Sequence, residues 1–269
     1  MSATFSFFSS IESGLETEPE PFELKEFILH HVKDHVVVPI NIAGFDLSIT
    51  QHVIMLGIAA AFLMVFIPLI IRSKSIIPRG PANLIEWVVV FLRESVIEPI
   101  LGAEGNRYTP HLLTVFFFII TCNLLGLVPM GATPTSSISV TLTLALLTFL
   151  FVQLYSIRKH GLKGYFHIFL PSGLPAVLRP LIFFVEVLSM CTKHLALAIR
   201  LFANMFAGHL VTFTVLGLVF LFKNYFIAPL PILGIVGLSI LEIVISLIQA
   251  YIFTILSAVF ISMAIQIHH

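Results

Sequence analysis

Arg200 stands in a stretch, Leu195 to Val211, whose only other ionisable residue is His209. A guanidinium keeps its proton at any accessible pH. It must therefore face a carboxylate, a polar cavity or both. Beyond Glu104 the chain holds two acidic residues, Glu186 and Glu242, and both lie within apolar sequence. In hydrocarbon such side chains cost roughly 2.5–3.5 kcal/mol or more each, which makes all of them candidates for handling ions.

Their spacing sorts them. Glu186, Lys193 and Arg200 recur every seven residues, so on a helix they share one face, drifting by only ~20° per step. Ser189 and Asn204 extend that face, as do Ala196, Ala203, Ala207 and Gly208. Small residues let another backbone approach closely. A helix-packing seam with charges snorkelling to its end fits Glu186 and Lys193 as well as a functional role does; it fits Arg200 less well. Glu186 lies roughly 20 Å along the helix from Arg200. The partner is then Glu242 or an acid on another chain. Such a pair at ~4 Å gains on the order of 4 kcal/mol at an effective dielectric near 20. It would hold a passing carboxylate ionised and repel a hydronium. His209 is rotated about 180° from Arg200 and lies roughly 13 Å away, facing other neighbours; histidine carries protons near neutral pH. Glu242, Ser246, Gln249 and Phe253 share one face of the last apolar segment. Glu242 there suits a proton relay, and Gln249 suits either a functional role or an interhelical hydrogen bond.

The elements that must position these groups are membrane helices. Of 269 residues, 58% are hydrophobic and 10% charged, against about 25% charged in soluble domains. Mean hydropathy is +1.06. A span takes roughly 20 apolar residues, and Val53 to Ile71, Leu112 to Met130 and Ile138 to Ile157 qualify, the first and last stopping at Arg72 and at Arg158-Lys159. These runs are too long for barrel strands. Residues 82–101 carry Glu86, Arg93, Glu94 and Glu98 on one side and Ile85, Val88, Val89 and Leu92 on the other. That pattern predicts an interfacial amphipathic helix with Trp87 near the lipid boundary. The segments 174–222 and 227–267 would each make roughly 60–70 Å of helix; each either breaks in two or tilts steeply. The fold class expected is all-α polytopic, with about five membrane helices.

Residues 1–48 form an N-terminal region with a solvated acidic arm, Glu16 to Pro21, and no signal peptide. A short amphipathic helix is expected from about Phe22 to Val38. Basic residues cluster between spans on one side, at Arg72, Lys74, Arg79, Arg93, Arg107, Arg158, Lys159, Lys163 and Arg179. That side is read as cytoplasmic, with the N-terminus outside and the C-terminus inside. Neutral net charge gives no sign of a nucleic-acid partner. Cys122 and Cys191 are read as small buried hydrophobes rather than metal ligands. No cofactor motif is found, and no P-loop, so nucleotide chemistry would belong to another chain. A stand-alone proton-coupled transporter is the competing reading, although the paired repeats of that class are not found.

Leu195 to Leu210 (LALAIRLFANMFAGHL) closely resembles the signature of subunit a of F-type ATP synthases. So do Glu242 and Gln249-Ala250-Tyr251-Ile252-Phe253, and, less specifically, Asn123-Leu124 with Pro129 and Ser139 to Leu142. The resemblance runs from about residue 48 to the end. It implies a stator facing a rotor ring of small hairpin c subunits, with peripheral-stalk b subunits in the same complex. Two offset half-channels would lead protons to and from the ring carboxylates. It implies that Arg200 separates the channels, that Gln249 stands opposite, and that Asn204 belongs to the same signature. His209 and Glu242 would line the outer half-channel, and Glu186 and Ser189 would lie near the inner exit. Some members carry acids in the loop between the Asn123 and Thr141 helices, where this chain has Gly126 and Ser137. The resemblance also implies one long tilted hairpin for residues 174–267 and a bacterial inner membrane, with the mitochondrial inner membrane as the alternative.

Overall fold

The computed structural model describes residues 36–39, 41–42, 45–46, 48–71, 80–127, 133–168, 175, 177–222 and 229–265. Five helices among them are long and apolar enough to cross a membrane. Short strands precede the helices: β1 (Val36–Val38) pairs antiparallel with β4 (Ile49–Thr50), and β2 (Asn41–Ile42) with β3 (Phe45–Asp46). The helix expected over Phe22 to Val38 lies outside the described residues up to its end. There Val36–Val38 is a strand instead, because three consecutive β-branched side chains are stiff at χ1 and favour extended backbone.

Helix α1 (Gln51–Ile71) packs along α4 (Gly105–Leu125). α4 begins seven residues before the apolar run that predicts it, at Gly105 rather than Leu112, and ends at Leu125 rather than Met130. Hydropathy finds the part of a helix that lies in lipid, whereas Arg107 to Thr109 continue the same backbone ladder outside it.

The amphipathic segment is helical as the pattern demands, but it is not one regular helix. α2 (Pro81–Leu92) passes through a π-helical turn, Arg93–Ile97, into the single turn α3 (Glu98–Leu101). The Glu98 N–H reaches back five residues to the Arg93 carbonyl. Pro99 supplies the cause, since its ring crowds the carbonyl four residues earlier and it has no N–H to donate. Glu86, Arg93, Glu94 and Glu98 are exposed, Ile85, Val88 and Val89 are half-buried and Leu92 is buried. Trp87 is 65% exposed.

α5 (Ile138–Ile168) bends at Gly161, whose φ of +67° is a conformation that favours glycine. α6 (Arg179–Phe222, 44 residues) and α7 (Pro229–Ile265, 37 residues) are each unbroken. They run to roughly 66 and 55 Å, about twice the hydrocarbon thickness, so a tilted passage is the fit for each.

The described chain forms two compact units. One includes Leu210–Val236; the other comprises Asp34–His209 and Gly237–His269. In the first, Gly234 faces Val215 across the end of α6 and the start of α7. The second holds the main core, where Leu92, Ile97, Leu112, Leu197, Phe253 and Ile261 are all buried to within 1%. Its polar ties are at helix ends. The last carbonyls of α7 have no intrahelical donors; Ser156 Oγ donates to Ala264 O at 2.9 Å and His160 Nε2 to Ile265 O at 3.1 Å. Lys159 pairs with Glu104 at 2.6 Å, and Arg93 with Glu98 at 2.9 Å.

Candidate functional site

Within the larger unit α6 and α7 lie antiparallel. His194 packs against Phe260 at 4.4 Å between ring centroids, Asn204 Nδ2 donates to Gln249 Oε1 at 2.8 Å, and Gly208 faces Glu242. Each step up α6 is matched by a step down α7. The buried stripe of α6 is His194, Leu197, Ala198, Leu201 and Met205, spacings of three and four that keep one side inward.

Arg200 is on the other side. It is exposed, and so are Ala196, Ala203, Asn204 and Ala207. The sequence leaves its partner open between Glu242 and an acid elsewhere. The fold removes the first option: Glu242 is opposite Gly208, two helical turns or about 12 Å from the level of Arg200. Among the described residues no ion pair engages Arg200. Its charge faces outward across a shallow, small-residue surface.

Gln249 is 1% exposed, held from behind by the core and in front by Asn204. It therefore makes the interhelical hydrogen bond, and it does so one turn from Arg200 on the arginine's own face. The two readings of Gln249 are not exclusive.

Glu242 reaches its place because Gly208 has no side chain. A Cβ there would stand 2.5 Å from Glu242 Oε1 and 3.3 Å from its Cγ and Cδ. The next residue, His209, points about 100° further round the helix and shares a hydrogen bond from Nε2 with Thr133 Oγ1. Gly126 makes room for that contact, since a Cβ there would collide with Thr133 and come within 3.0 Å of His209 Nε2. Behind Thr133, Ser136 Oγ donates to Thr133 O at 2.8 Å and so accepts from His52 Nε2, 3.1 Å away. Thr135 Oγ1 donates to Asn123 Oδ1 at 2.6 Å. A polar lattice thus runs from the first turn of α1, through the 3₁₀ segment Pro134–Ser136, to His209 and the level of Glu242.

Glu186 is at the other end of the pair. It lines a cleft with Val152, Gln153 and Tyr165 of α5, Lys193 and His194 of α6, and Phe260 of α7. Tyr165 O–H donates to Gln153 Oε1 at 2.7 Å, and burial pushes its phenol up, so the hydroxyl stays a donor. Ser189 is half-buried and does not line the cleft.

The sequence-predicted residues therefore fall into three groups. Arg200, Asn204 and Gln249 meet; His209 and Glu242 flank Gly208; Glu186 stands apart at the cleft. Sequence reasoning passed over His52, Thr133 and Ser136. The available signal was His52, a titratable residue in the first turn of an otherwise apolar span. Cys122 is buried as expected, but Cys191 is exposed on α6.

A family model described as ATP synthase A chain matches residues 53–262. Among curated relatives, ATP synthase subunit a of Chloroherpeton thalassium is 44% identical over 257 residues, covering 94% of this chain and 74% of that protein. The protein of the same name from Chlorobium phaeobacteroides is 39% identical over 256 residues, covering 89% and 75%. That from Magnetococcus marinus is 41% identical over 250 residues, covering 89% and 93%. With the family model spanning the five apolar helices and the relatives aligned over most of their length, this chain belongs to the ATP synthase A chain family as a multi-pass membrane subunit.

Proposed function

We propose that this chain, a stator subunit a in the membrane sector of an ATP synthase, conducts protons through two offset half-channels to and from carboxylates on a rotating c ring. The observation that carries the reading is Arg200: a permanent charge on an exposed small-residue face, with its obvious intrachain partner held two turns away at Gly208. A helix of another chain can approach Ala196, Ala203 and Ala207 closely. A carboxylate on that helix meets the guanidinium, is held ionised, and gives up any proton it carries.

The polar lattice from His52 to His209 and Glu242 serves as the outer path. The cleft at Glu186 serves as the inner path, with Ser189 beside it. Arg200 lies between these levels, and a hydronium cannot pass it directly because the charges repel. Asn204 and Gln249 fix the surface beside it through their mutual hydrogen bond, Asn204 Nδ2 donating to Gln249 Oε1. The chain itself does no nucleotide chemistry. It works in the bacterial inner membrane with peripheral-stalk b subunits. The amphipathic helix at 82–101 lies along the cytoplasmic interface, the N-terminus is outside and the C-terminus inside. The driving force is ~2.3 kcal/mol per proton per 100 mV.

The test is Arg200→Lys in inverted membrane vesicles, with assembly of the complex verified. A compact, strongly hydrated ammonium does not reproduce the delocalised guanidinium. The substitution keeps the unit charge but loses the planar fork that meets a carboxylate two-fold, so coupled ATP synthesis is expected to fall to background. ATP synthesis at the native rate in that variant would overturn the reading.

A further inference from the structure

The cleft beside Glu186 contains a pair of polar atoms that the function described so far leaves unused. His194 is 6% exposed. Its Nδ1 donates to Met190 O at 2.9 Å, which leaves Nε2 of the neutral ring as a lone-pair acceptor. Nε2 is buried, and no described residue hydrogen-bonds to it. Across the cleft Gln153 is in the complementary state: Oε1 is taken by Tyr165, while Nε2, a donor, is buried without a partner. Both residues line the same space, of about 60 Å³. That is room for a few waters, and buried polar groups left unpaired are the usual hosts of such waters. A donor on one wall and an acceptor on the other suit a water that accepts from Gln153 and donates to His194.

The imidazole is also placed to hold a proton. Its ring makes a T-shaped contact with Phe149 at 5.0 Å and a tilted one with Phe260 at 4.4 Å between centroids. Aromatic π-faces stabilise a cation within about 6 Å. The Nδ1 hydrogen bond to Met190 persists in both protonation states, so gaining a proton needs no movement of the ring. We propose that this cleft is a hydrated site in which His194 takes the translocated proton on Nε2 and returns it to water held by Gln153. The site sits on the inner path between the level of Arg200 and Glu186.

The step is balanced. A hydronium gives its proton to the Nε2 lone pair, and the resulting imidazolium gives it back to a water on the Glu186 side. The proposal rests on the reading that Arg200 divides an inner from an outer path. The titratable or charged groups that face His194 across the cleft are Glu186 and Lys193 on its own helix and Tyr165 on α5; the α7 wall contributes Phe260, Met263 and Ala264.

The experiment measures passive proton conduction through the intact membrane sector, in vesicles stripped of the nucleotide-binding part, as a function of pH on the cytoplasmic face. In the native protein the rate should show an inflection between about pH 5 and 8, the range in which a histidine titrates. His194→Gln retains a side-chain amide that can bond to Met190 O but cannot titrate. It should lose that inflection and conduct about tenfold or more slowly, the low end of what a positioned proton-transfer group contributes. Glu186, Lys193 and Tyr165 remain in that variant, so an inflection that survives in it belongs to them and overturns the relay at His194. If His194→Gln does not assemble, Gln153→Leu decides the same question by removing the donor that holds the water; it should slow conduction while keeping the inflection. A native rate and profile in whichever variant assembles would overturn the proposal. Arg200→Lys in parallel keeps the two readings apart: its loss of coupling with unchanged His194 variants would refute the relay and leave the proposed function standing.

Discussion

Gly208 shows how much at this site depends on single atoms. Glu242 reaches α6 because nothing projects from Gly208, and Gly208→Ala would put a Cβ 2.5 Å from its carboxylate. The atom met first is the mobile end of a long side chain, so the carboxylate swings away rather than the helices parting. Alanine is also the better helix former by about 1 kcal/mol. The variant should therefore assemble at native levels yet make ATP several-fold more slowly, since a shift of about 1 Å at a reacting group is costly. Assembly by immunoblot and ATP synthesis in vesicles separate the two effects. Unchanged synthesis would mean that the position of Glu242 does not matter. Arg200, His209, Glu242, Gln249, Glu186 and Asn204 stand out in the sequence, because charge and amide groups are conspicuous against an apolar background, whereas Ser189 is picked out only by its place on the stripe from Glu186 to Arg200 and by the resemblance. Thr133 and Ser136 do not stand out, because hydroxyl residues are common in loops, and although His52 is titratable, nothing in the spacing links residues 52, 133 and 209.

The two long helices work as a register device. α7 turns Gln249, Ala250, Phe253, Ser257, Ala258 and Ile261 inward, while Leu241, Val244, Leu247 and Ile248 are exposed. In lipid there is no hydrophobic drive between helices, so close packing of small residues carries much of the association. Ala250 has no exposed surface. Ala250→Leu should overpack the seam and cost about 1–3 kcal/mol, whereas Leu247→Ala on the outer face should cost far less. Thermal denaturation of the purified complex, read as loss of this subunit, gives the comparison; equal effects would contradict the inward and outward faces described. The uniform apolarity of α7 hides this division in the sequence: Leu247 and Ala250 are both hydrophobic, and only contact tells them apart. Polar positions are different, because Ser246 and Gln249 already mark the inner face.

For the whole molecule, the positive residues at the ends of α1 and α5 and at the start of α6 set the expected orientation. Ile267→Cys in a variant whose native cysteines are both replaced should react with an impermeant maleimide in inverted vesicles and not in intact spheroplasts. Glu20→Cys should do the reverse. Labelling of both from one side would overturn the assigned topology.

Membrane class and the residues worth suspecting are settled by residue types, because hydrocarbon exacts a free-energy cost from each charge and each unpaired backbone group wherever it occurs. Whether residues 174–222 break or continue is not readable from hydropathy, which measures apolarity and is blind to the unbroken backbone ladder. The partner of Arg200 is likewise undecided along the chain. Once α6 and α7 pair with Gly208 against Glu242 and Asn204 against Gln249, that carboxylate is held two turns away and the arginine is left facing outward. Distances between residues forty positions apart come from packing, and packing is where the site is made.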